Sequence, residues 1–291
     1  MRSRYKMRWY LLFVLPLLLI FSSVVIVPFF MGIGYSFFSW DGLPLNPKIF
    51  VGFDNYIKLF SDVRFKDTAI RTILFMFCSV ILINLIGICF ALFVTSKLKC
   101  KNTIRMMLFM PYLIGGLILG YIWKFILGDG MAAIGEMVGN SSVFFNWLVN
   151  PKYSFIALII VICWQMSGYV MVVYIAGLMN ISEEVLEAAT IDGAGYWQTL
   201  LRVKMPLLMP SFTICLFLSL SNCFKIYDIN VSLTGGGPNN TTEMFAMNIY
   251  NEIFNKNNFG YGQAKAILFL LVVAVFTLIQ VNITKKKEVE S

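Results

Sequence analysis

The stretch 72–95 reads TILFMFCSVILINLIGICFALFVT and contains no charged residue. A helix of about 20 apolar residues crosses the hydrocarbon core of a bilayer, which is roughly 30 Å thick. Five further apolar runs of similar length lie at about 9–33, 104–123, 153–178, 206–224 and 264–284. We therefore predict an all-α integral membrane protein, in which residues 1–291 form one transmembrane domain of about six helices.

The composition is typical of a chain that lies mostly in lipid. Hydrophobic residues make up 59% of the sequence and charged residues only 13%, whereas soluble domains carry about 25% charged residues. The chain has no histidine, and its six cysteines include no C-x-x-C pair, so nothing indicates a metal site or a common general base. The net charge of +8 comes from basic residues beside apolar runs, which argues against a nucleic-acid partner.

Lysine and arginine cluster in the N-terminal segment, in the segment after the second run, and in the C-terminal tail. Because cytoplasmic segments are enriched in these residues, we predict that both termini are cytoplasmic and that 34–70, 124–152 and 225–263 lie outside. The first run is longer than the apolar part of a signal peptide and no clear cleavage site follows it, so we predict a retained anchor. The basic residues are Arg2, Arg4, Lys6, Arg8, Lys97, Lys99, Lys101, Arg105, Lys285, Lys286 and Lys287.

One predicted cytoplasmic segment departs from this charge pattern. Residues 181–206, ISEEVLEAATIDGAGYWQTLLRVKMP, are net acidic. Ser182 can cap a helix, acidic residues suit a first turn, and Gly193 permits a sharp turn before a second short helix at 196–203. One face of the first helix carries the short side chains of Val185, Ala188, Ala189 and Asp192. This hairpin either docks on another protein or packs against the spans of its own chain.

Several segments resemble the permease subunits of ABC importers, and in particular the maltose-F-like carbohydrate branch. The segment EAATIDGAGYWQTLLRVKMPLLMPS at 187–211 is similar to the EAA signature of that family. Further similar segments are WQMSGYVMVVYIAGLMNI at 164–181, FKIYDINVSLTGGGPNNTTE at 224–243, VGFDNYIKLF at 51–60 and YGQAKA at 261–266. The resemblance covers nearly the whole chain. Ser182 departs from it, since the family often has proline there.

The resemblance implies a transport subunit of a bacterial cytoplasmic membrane that is not itself an enzyme. It implies a heterodimer with a second, similar permease, two cytoplasmic ATPase subunits that bind ATP and Mg, and an extracellular solute-binding protein. The expected substrate is a carbohydrate, and in particular an oligosaccharide. No cofactor is expected on this chain. The first helix of the hairpin would couple the permease to an ATPase through Glu187, Ala188, Ala189, Asp192 and Gly193.

Polar and aromatic side chains near the fourth and fifth runs are candidates for the substrate path. Polar residues in spans face the protein interior and often line a pathway, although they also join helices by hydrogen bonds, and Asp228 could pair locally with Lys225. The candidates are Gln165, Tyr169, Tyr174, Asn222, Tyr227 and Asp228, with Asn84 as a further polar residue. The segment Gly235, Gly236, Gly237 and Pro238 lacks the GK[ST] ending of a phosphate loop, so we interpret it as an external turn or a contact with the binding protein.

Three alternatives remain open from the sequence. Import of another solute such as glycerol phosphate would require basic residues in the cavity. A membrane-embedded enzyme would require paired carboxylates, and the dense acidic group is Glu183, Glu184 and Glu187. An assembly scaffold without transport would share the same spans.

Overall fold

The computed structural model of the chain describes residues 2–96, 100–140, 144–286 and 288, with side chains from Trp9 onward. Several residues that define the predicted positive side lie outside this description, either entirely or in their side chains. They are Lys97, Lys99 and Lys287, and the side chains of Arg2, Arg4, Lys6 and Arg8.

Within these ranges the chain is almost entirely helical, which confirms the predicted fold class. The helices are α1 (Arg2–Phe21), α2 (Val27–Tyr35), α3 (Asp54–Ser61), α4 (Val63–Thr95), α5 (Lys101–Phe109), α6 (Gly116–Phe125), α7 (Met131–Val138), α8 (Pro151–Met179), α9 (Glu183–Ile191), α10 (Tyr196–Gln198), α11 (Met205–Leu207), α12 (Met209–Phe224), α13 (Asp228–Leu233), α14 (Phe245–Tyr250) and α15 (Phe259–Lys285). Strands β1 (Phe38–Ser39) and β2 (Ile49–Phe50) pair in antiparallel fashion. Short π-helical turns occupy Ser22–Ile26, Ile126–Gly130, Thr199–Lys204 and Asn251–Asn255, and 3-10 turns occupy Met110–Leu113 and Trp147–Val149.

Five helical segments of the described chain are long and apolar enough to cross a bilayer, and a bent pair provides a sixth candidate. The five are Trp9–Tyr35, Val63–Thr95, Gly116–Val138, Pro151–Met179 and Phe259–Lys285. The bent pair, Tyr196–Leu207 and Met209–Phe224, turns by 67°, because Pro210 cannot donate the backbone hydrogen bond that would continue the helix. The third candidate begins at Gly116 rather than at the predicted position 104, since the helix is interrupted before it.

The chain divides into two compact units, which we describe separately. Residues 1–63 and 249–271 form the first unit. In it the side chain of Asn55 on α3 donates hydrogen bonds to the carbonyl oxygens of Ser36 (2.8 Å) and Phe38 (3.0 Å). The Tyr56 and Ser36 hydroxyls lie 2.7 Å apart, so α3 is fixed against the end of α2.

Residues 64–248 and 272–291 form the second unit, whose core lies where α4, α8 and α12 meet. Small residues allow the close approach of helices in membrane proteins. A Cβ atom at Gly168 of α8 would overlap the carbonyl oxygen of Leu108 on α5, and one at Gly120 of α6 would overlap Oγ of Ser232 on α13. These two contacts bring α5, α6 and α13 close enough to frame the site described next.

Candidate functional site

The helix that begins at Lys101 is interrupted inside the third predicted span. Pro111 lacks a backbone N–H, and glycines at 115 and 116 are poor helix formers. Ile114 and Gly115 are extended (ψ 126° and 140°), and α6 begins at Gly116. Gln165 on α8 donates from Nε2 to the Ile114 carbonyl oxygen at 3.0 Å, so the interruption is held in place by a side chain.

A second interruption lies next to the first. Helix α12 ends at Phe224, Tyr227 has φ −133° and ψ −60°, and α13 begins at Asp228. A Cβ atom at Gly116 would lie 3.0 Å from the Asp228 Cβ. Non-helical backbone at membrane depth is stable only where protein covers it or where it borders a water-filled cavity, and here the two interruptions border a cavity.

This cavity has a volume of about 570 Å³ and a lining of polar, aromatic and aliphatic residues. Four of the six residues predicted for the substrate path line it, namely Gln165, Asn222, Tyr227 and Asp228. The backbone of the first interruption, the phenol of Tyr112 and the ammonium group of Lys225 complete the polar part of the wall. Amide, phenol and carboxylate groups can all exchange hydrogen bonds with hydroxylated molecules, so this wall can bind a polar solute.

The other two predicted path residues lie elsewhere. The Tyr169 ring stacks on Tyr112, with 4.5 Å between centroids, so it supports a ring that lines the cavity. Tyr174 is fully buried, and its hydroxyl donates to Asn84 Oδ1 at 2.8 Å. Asn84 in turn donates to Ser219 Oγ at 3.0 Å, so this cluster joins α4, α8 and α12.

The cavity contains two charges of opposite sign that do not pair. Lys225 and Asp228 both line it, but neither forms an ion pair with any residue that the structure describes. The local ion pair between Lys225 and Asp228 that the sequence suggested is therefore wrong. Both charges remain available to a solute or to water.

A second cavity of about 470 Å³ lies between α4, α5 and α8. Its lining is almost entirely apolar and includes Leu82, Phe90 and Trp164. Such a wall offers few partners to hydroxyl groups, so the polar cavity is the candidate for solute passage.

The acidic hairpin has the predicted helix–turn–helix form. Helix α9 ends in a pair of hydrogen bonds, from Ala194 N to Ala189 O (2.9 Å) and from Gly193 N to Thr190 O (3.0 Å). Gly193 has φ +77°, which is typical of the glycine that closes a helix in this way. Ser182 occupies the N-cap position, but its side chain makes no capping hydrogen bond, so the predicted side-chain cap is wrong.

Most of the hairpin surface is exposed in this chain. Glu187, Ala188 and Asp192 are exposed, whereas Ala189 is buried. Large apolar side chains are exposed beside them, with Ile191 at 86% and Trp197 at 69%. Apolar side chains next to carboxylates are typical of a surface that another protein covers.

The glycine-rich segment is a tightly bonded turn. Gly235 and Gly236 have positive φ values of 60° and 82°, and Thr242 Oγ1 donates to the Gly237 carbonyl oxygen at 2.7 Å. Gly235 is exposed, Gly236 is buried, and the Gly237–Pro238 pair is half-buried.

Two residues that sequence reasoning missed hold this turn. Arg64 donates from Nε and Nη2 to the two carboxylate oxygens of Glu243, at 2.8 and 2.9 Å. The Glu243 side chain is almost completely buried, and bidentate pairs of this kind are strong and directional. The two residues are 179 positions apart in the sequence. The sequence indicates this pair only through the glutamate that directly follows the glycine-rich turn.

Comparison with known proteins agrees with this architecture. A family model described as "Binding-protein-dependent transport system inner membrane component" matches residues 83–289. The "Probable starch degradation products transport system permease protein AmyD" of Thermoanaerobacterium thermosulfurigenes is 43% identical over 97% of this chain and 96% of its own length. The "Multiple sugar-binding transport system permease protein MsmF" of Streptococcus mutans is 32% identical over 90% of each chain.

A solved structure has the same fold at low sequence identity. A chain of a bacterial ABC transporter involved in the import of the acidic polysaccharide alginate aligns with a TM-score of 0.83 and 19% identity, over 98% of this chain and 99% of its own. The family model and the two relatives confirm the family resemblance that the sequence motifs indicate. The chain is therefore a member of the binding-protein-dependent transport system inner membrane components, the permeases of ABC importers.

Proposed function

We propose that this chain is one permease subunit of an ATP-driven importer of carbohydrates, and that its substrates are oligosaccharides. As a member of its family it is a multi-pass inner-membrane permease and not an enzyme. The names of its relatives refer to starch degradation products and to multiple sugars. The polar cavity at the two helix interruptions is the observation that carries the proposal.

The chemistry of the cavity wall suits a sugar. Sugar hydroxyls exchange hydrogen bonds with amides and carboxylates, which Gln165, Asn222 and Asp228 provide. Asn222 Nδ2 already donates to the Leu218 carbonyl oxygen at 2.8 Å, which orients its amide. The rings of Tyr112 and Tyr227 can cover the apolar faces of a sugar. A phosphorylated solute would fit less well, because Lys225 is the one basic residue among the described lining residues.

Helix α9 is proposed to couple this cavity to ATP hydrolysis on a partner. Its exposed Glu187 offers a charge partner to lysine or arginine, and Gly193 fixes the angle between the two parts of the hairpin. Ile191 and Trp197 add apolar area that a protein partner would bury. Rigid-body motion of the hairpin would then reach α12 through the bent segment that precedes it.

The proposed assembly contains this chain, a second and similar permease as its heterodimeric partner, two ATPase subunits carrying ATP and Mg, and an external solute-binding protein. Both termini and the hairpin would face the cytoplasm. The turn at Gly235–Pro238 would contact the binding protein. The hydrogen bonds between Arg64 and Glu243 make this turn rigid, which supports the proposed contact.

Uptake of radiolabelled malto-oligosaccharides by the reconstituted complex, with its binding protein, tests the proposal. Gln165→Leu and Asn222→Leu should each reduce uptake roughly two- to tenfold, the effect of one lost hydrogen bond. Ser167→Ala is the matched control, because it lies on α8 but lines the apolar cavity, and it should transport normally. Normal uptake by both leucine variants would exclude the cavity as the sugar path.

A further inference from the structure

A groove beside α5 has a polar end and an apolar end. It has a volume of about 280 Å³ and is lined by Asn102, Arg105, Met106 and Phe109 of α5 and by Val172 of α8. A helix rises about 1.5 Å per residue, so the backbone positions of Arg105 and Phe109 lie roughly 6 Å apart along α5.

The guanidinium at the polar end lacks a partner within the described part of the chain. Arg105 forms no hydrogen bond or ion pair with any described residue, although its side chain is half-buried. A partly desolvated charge gains most from an anionic ligand. The planar guanidinium matches the oxygens of a phosphate group in particular.

The position of the groove in the chain places it at the edge of the bilayer. The apolar helix Val63–Thr95 ends shortly before α5 begins at Lys101, so Arg105 lies close to the membrane surface, where lipid headgroups are expected. Met106 and Met107 follow and are exposed, as side chains in contact with acyl chains would be. The sequence just before α5 is rich in lysine, and basic segments beside spans attract anionic lipids.

We propose that the groove binds an anionic phospholipid. Its phosphate lies against Arg105 and Asn102, and its acyl chain follows Met106, Phe109 and Val172. Charge complementarity selects the headgroup, and the apolar half of the groove selects a lipid over a soluble phosphate. In the predicted orientation this lipid belongs to the cytoplasmic leaflet.

Native mass spectrometry of the full-length chain with its copurifying subunits tests this site. The probes are phosphatidylglycerol and phosphatidylcholine, added separately. Arg105→Gln should lower retained phosphatidylglycerol roughly fivefold, the effect of one basic residue at a membrane surface, and leave phosphatidylcholine unchanged. Lys286→Gln is the control, since Lys286 is exposed at the end of α15 and outside the groove, and it should retain both lipids normally. Equal retention of phosphatidylglycerol by the wild type and Arg105→Gln would overturn the proposal.

A second measurement does not depend on the variant folding. Phosphatidylglycerol with a photoactivatable group in its acyl chain is crosslinked to the wild-type complex, and the modified peptides are mapped. Crosslinks should fall on the peptide that contains Met106 and Phe109. Crosslinks confined to other segments would refute the site. The absence of any crosslink at the groove, as expected if a partner subunit covers it, would also refute the site.

Discussion

The side chain of Lys265 is completely enclosed in the first unit, although it carries a charge. Its exposed fraction is 0%, and its Nζ lies 2.8 Å from Glu252 Oε2 and 3.3 Å from Asp62 Oδ2. Tyr261 donates its hydroxyl to the same Asp62 carboxylate at 2.8 Å. A buried ammonium is stable only with such partners, so this residue ties the start of α15 to two other segments.

Replacement of Lys265 by methionine should destabilise the protein by roughly 3 kcal/mol, because it removes the cation that the buried Glu252 shares with the partly exposed Asp62. Lys256→Met is the matched control, since Lys256 also pairs with Glu252 but is 43% exposed. That change should cost less than about 1 kcal/mol. Thermal unfolding of the purified complex measures both, and equal losses in the two variants would show that burial does not set the strength of this cluster.

The same cluster predicts a dependence on pH. Burial raises the pKa of Glu252, but hydrogen bonds from Lys265, Asn258 and Lys256 outweigh it and hold the pKa below the ordinary value of 4.5. The stabilisation is therefore present above pH 4.5 and is lost as the pH falls through the lowered pKa. The difference in Tm between the wild type and Lys265→Met should be largest at neutral pH and shrink in acid. A constant difference would contradict the ionic role.

At the scale of the element, the turn of the acidic hairpin offers a pair of glycines that differ in one property. Neither Gly193 nor Gly195 has any heavy atom within 4 Å of a Cβ position, so an added methyl group clashes with nothing. Gly193 has φ +77°, whereas Gly195 has φ −70°. Only the first is in the left-handed region, which costs residues other than glycine roughly 1–2 kcal/mol.

Gly193→Ala should therefore weaken the hairpin by about 1 kcal/mol and reduce ATP-driven sugar uptake several-fold, while Gly195→Ala should leave uptake unchanged or slightly stabilise the protein. Uptake and copurification of the ATPase subunits are measured side by side. Normal uptake by Gly193→Ala would mean that the angle of this hairpin does not transmit the motion of the ATPase.

At the scale of the whole molecule, hydropathy predicted the spans but not their interruptions. The 24 uncharged and mostly apolar residues of 72–95 are long enough to cross the bilayer as a helix, which satisfies every backbone hydrogen bond within the segment. The interruption at Ile114 depends instead on Pro111, two glycines and a hydrogen bond from Gln165, 51 residues away. Hydropathy is insensitive to such a backbone change, and so the third span was predicted to begin at 104 rather than Gly116.

The candidate site was predictable to a similar degree. Polarity within a span singled out Gln165 and Asn222, and the structure places both in the wall of the polar cavity. The same criterion also selected Tyr169 and Tyr174, which do not line the cavity, because the face that each tyrosine of α8 presents depends on its packing against neighbouring segments. The Arg64–Glu243 pair is equally inaccessible to sequence reasoning, since only the fold brings the two residues together.

Orientation in the membrane is a property of the whole chain, and two exposed residues can report it. Asn239 follows the glycine-rich turn, and Asp192 lies in the acidic hairpin. Because basic segments remain in the cytoplasm, Asn239 should face outward and Asp192 inward. In a variant without the native cysteines, Asn239→Cys should react with an impermeant thiol reagent in intact cells, whereas Asp192→Cys should react only in inside-out vesicles. The reverse pattern would invert the topology, and it would place the hairpin out of reach of any cytoplasmic ATPase.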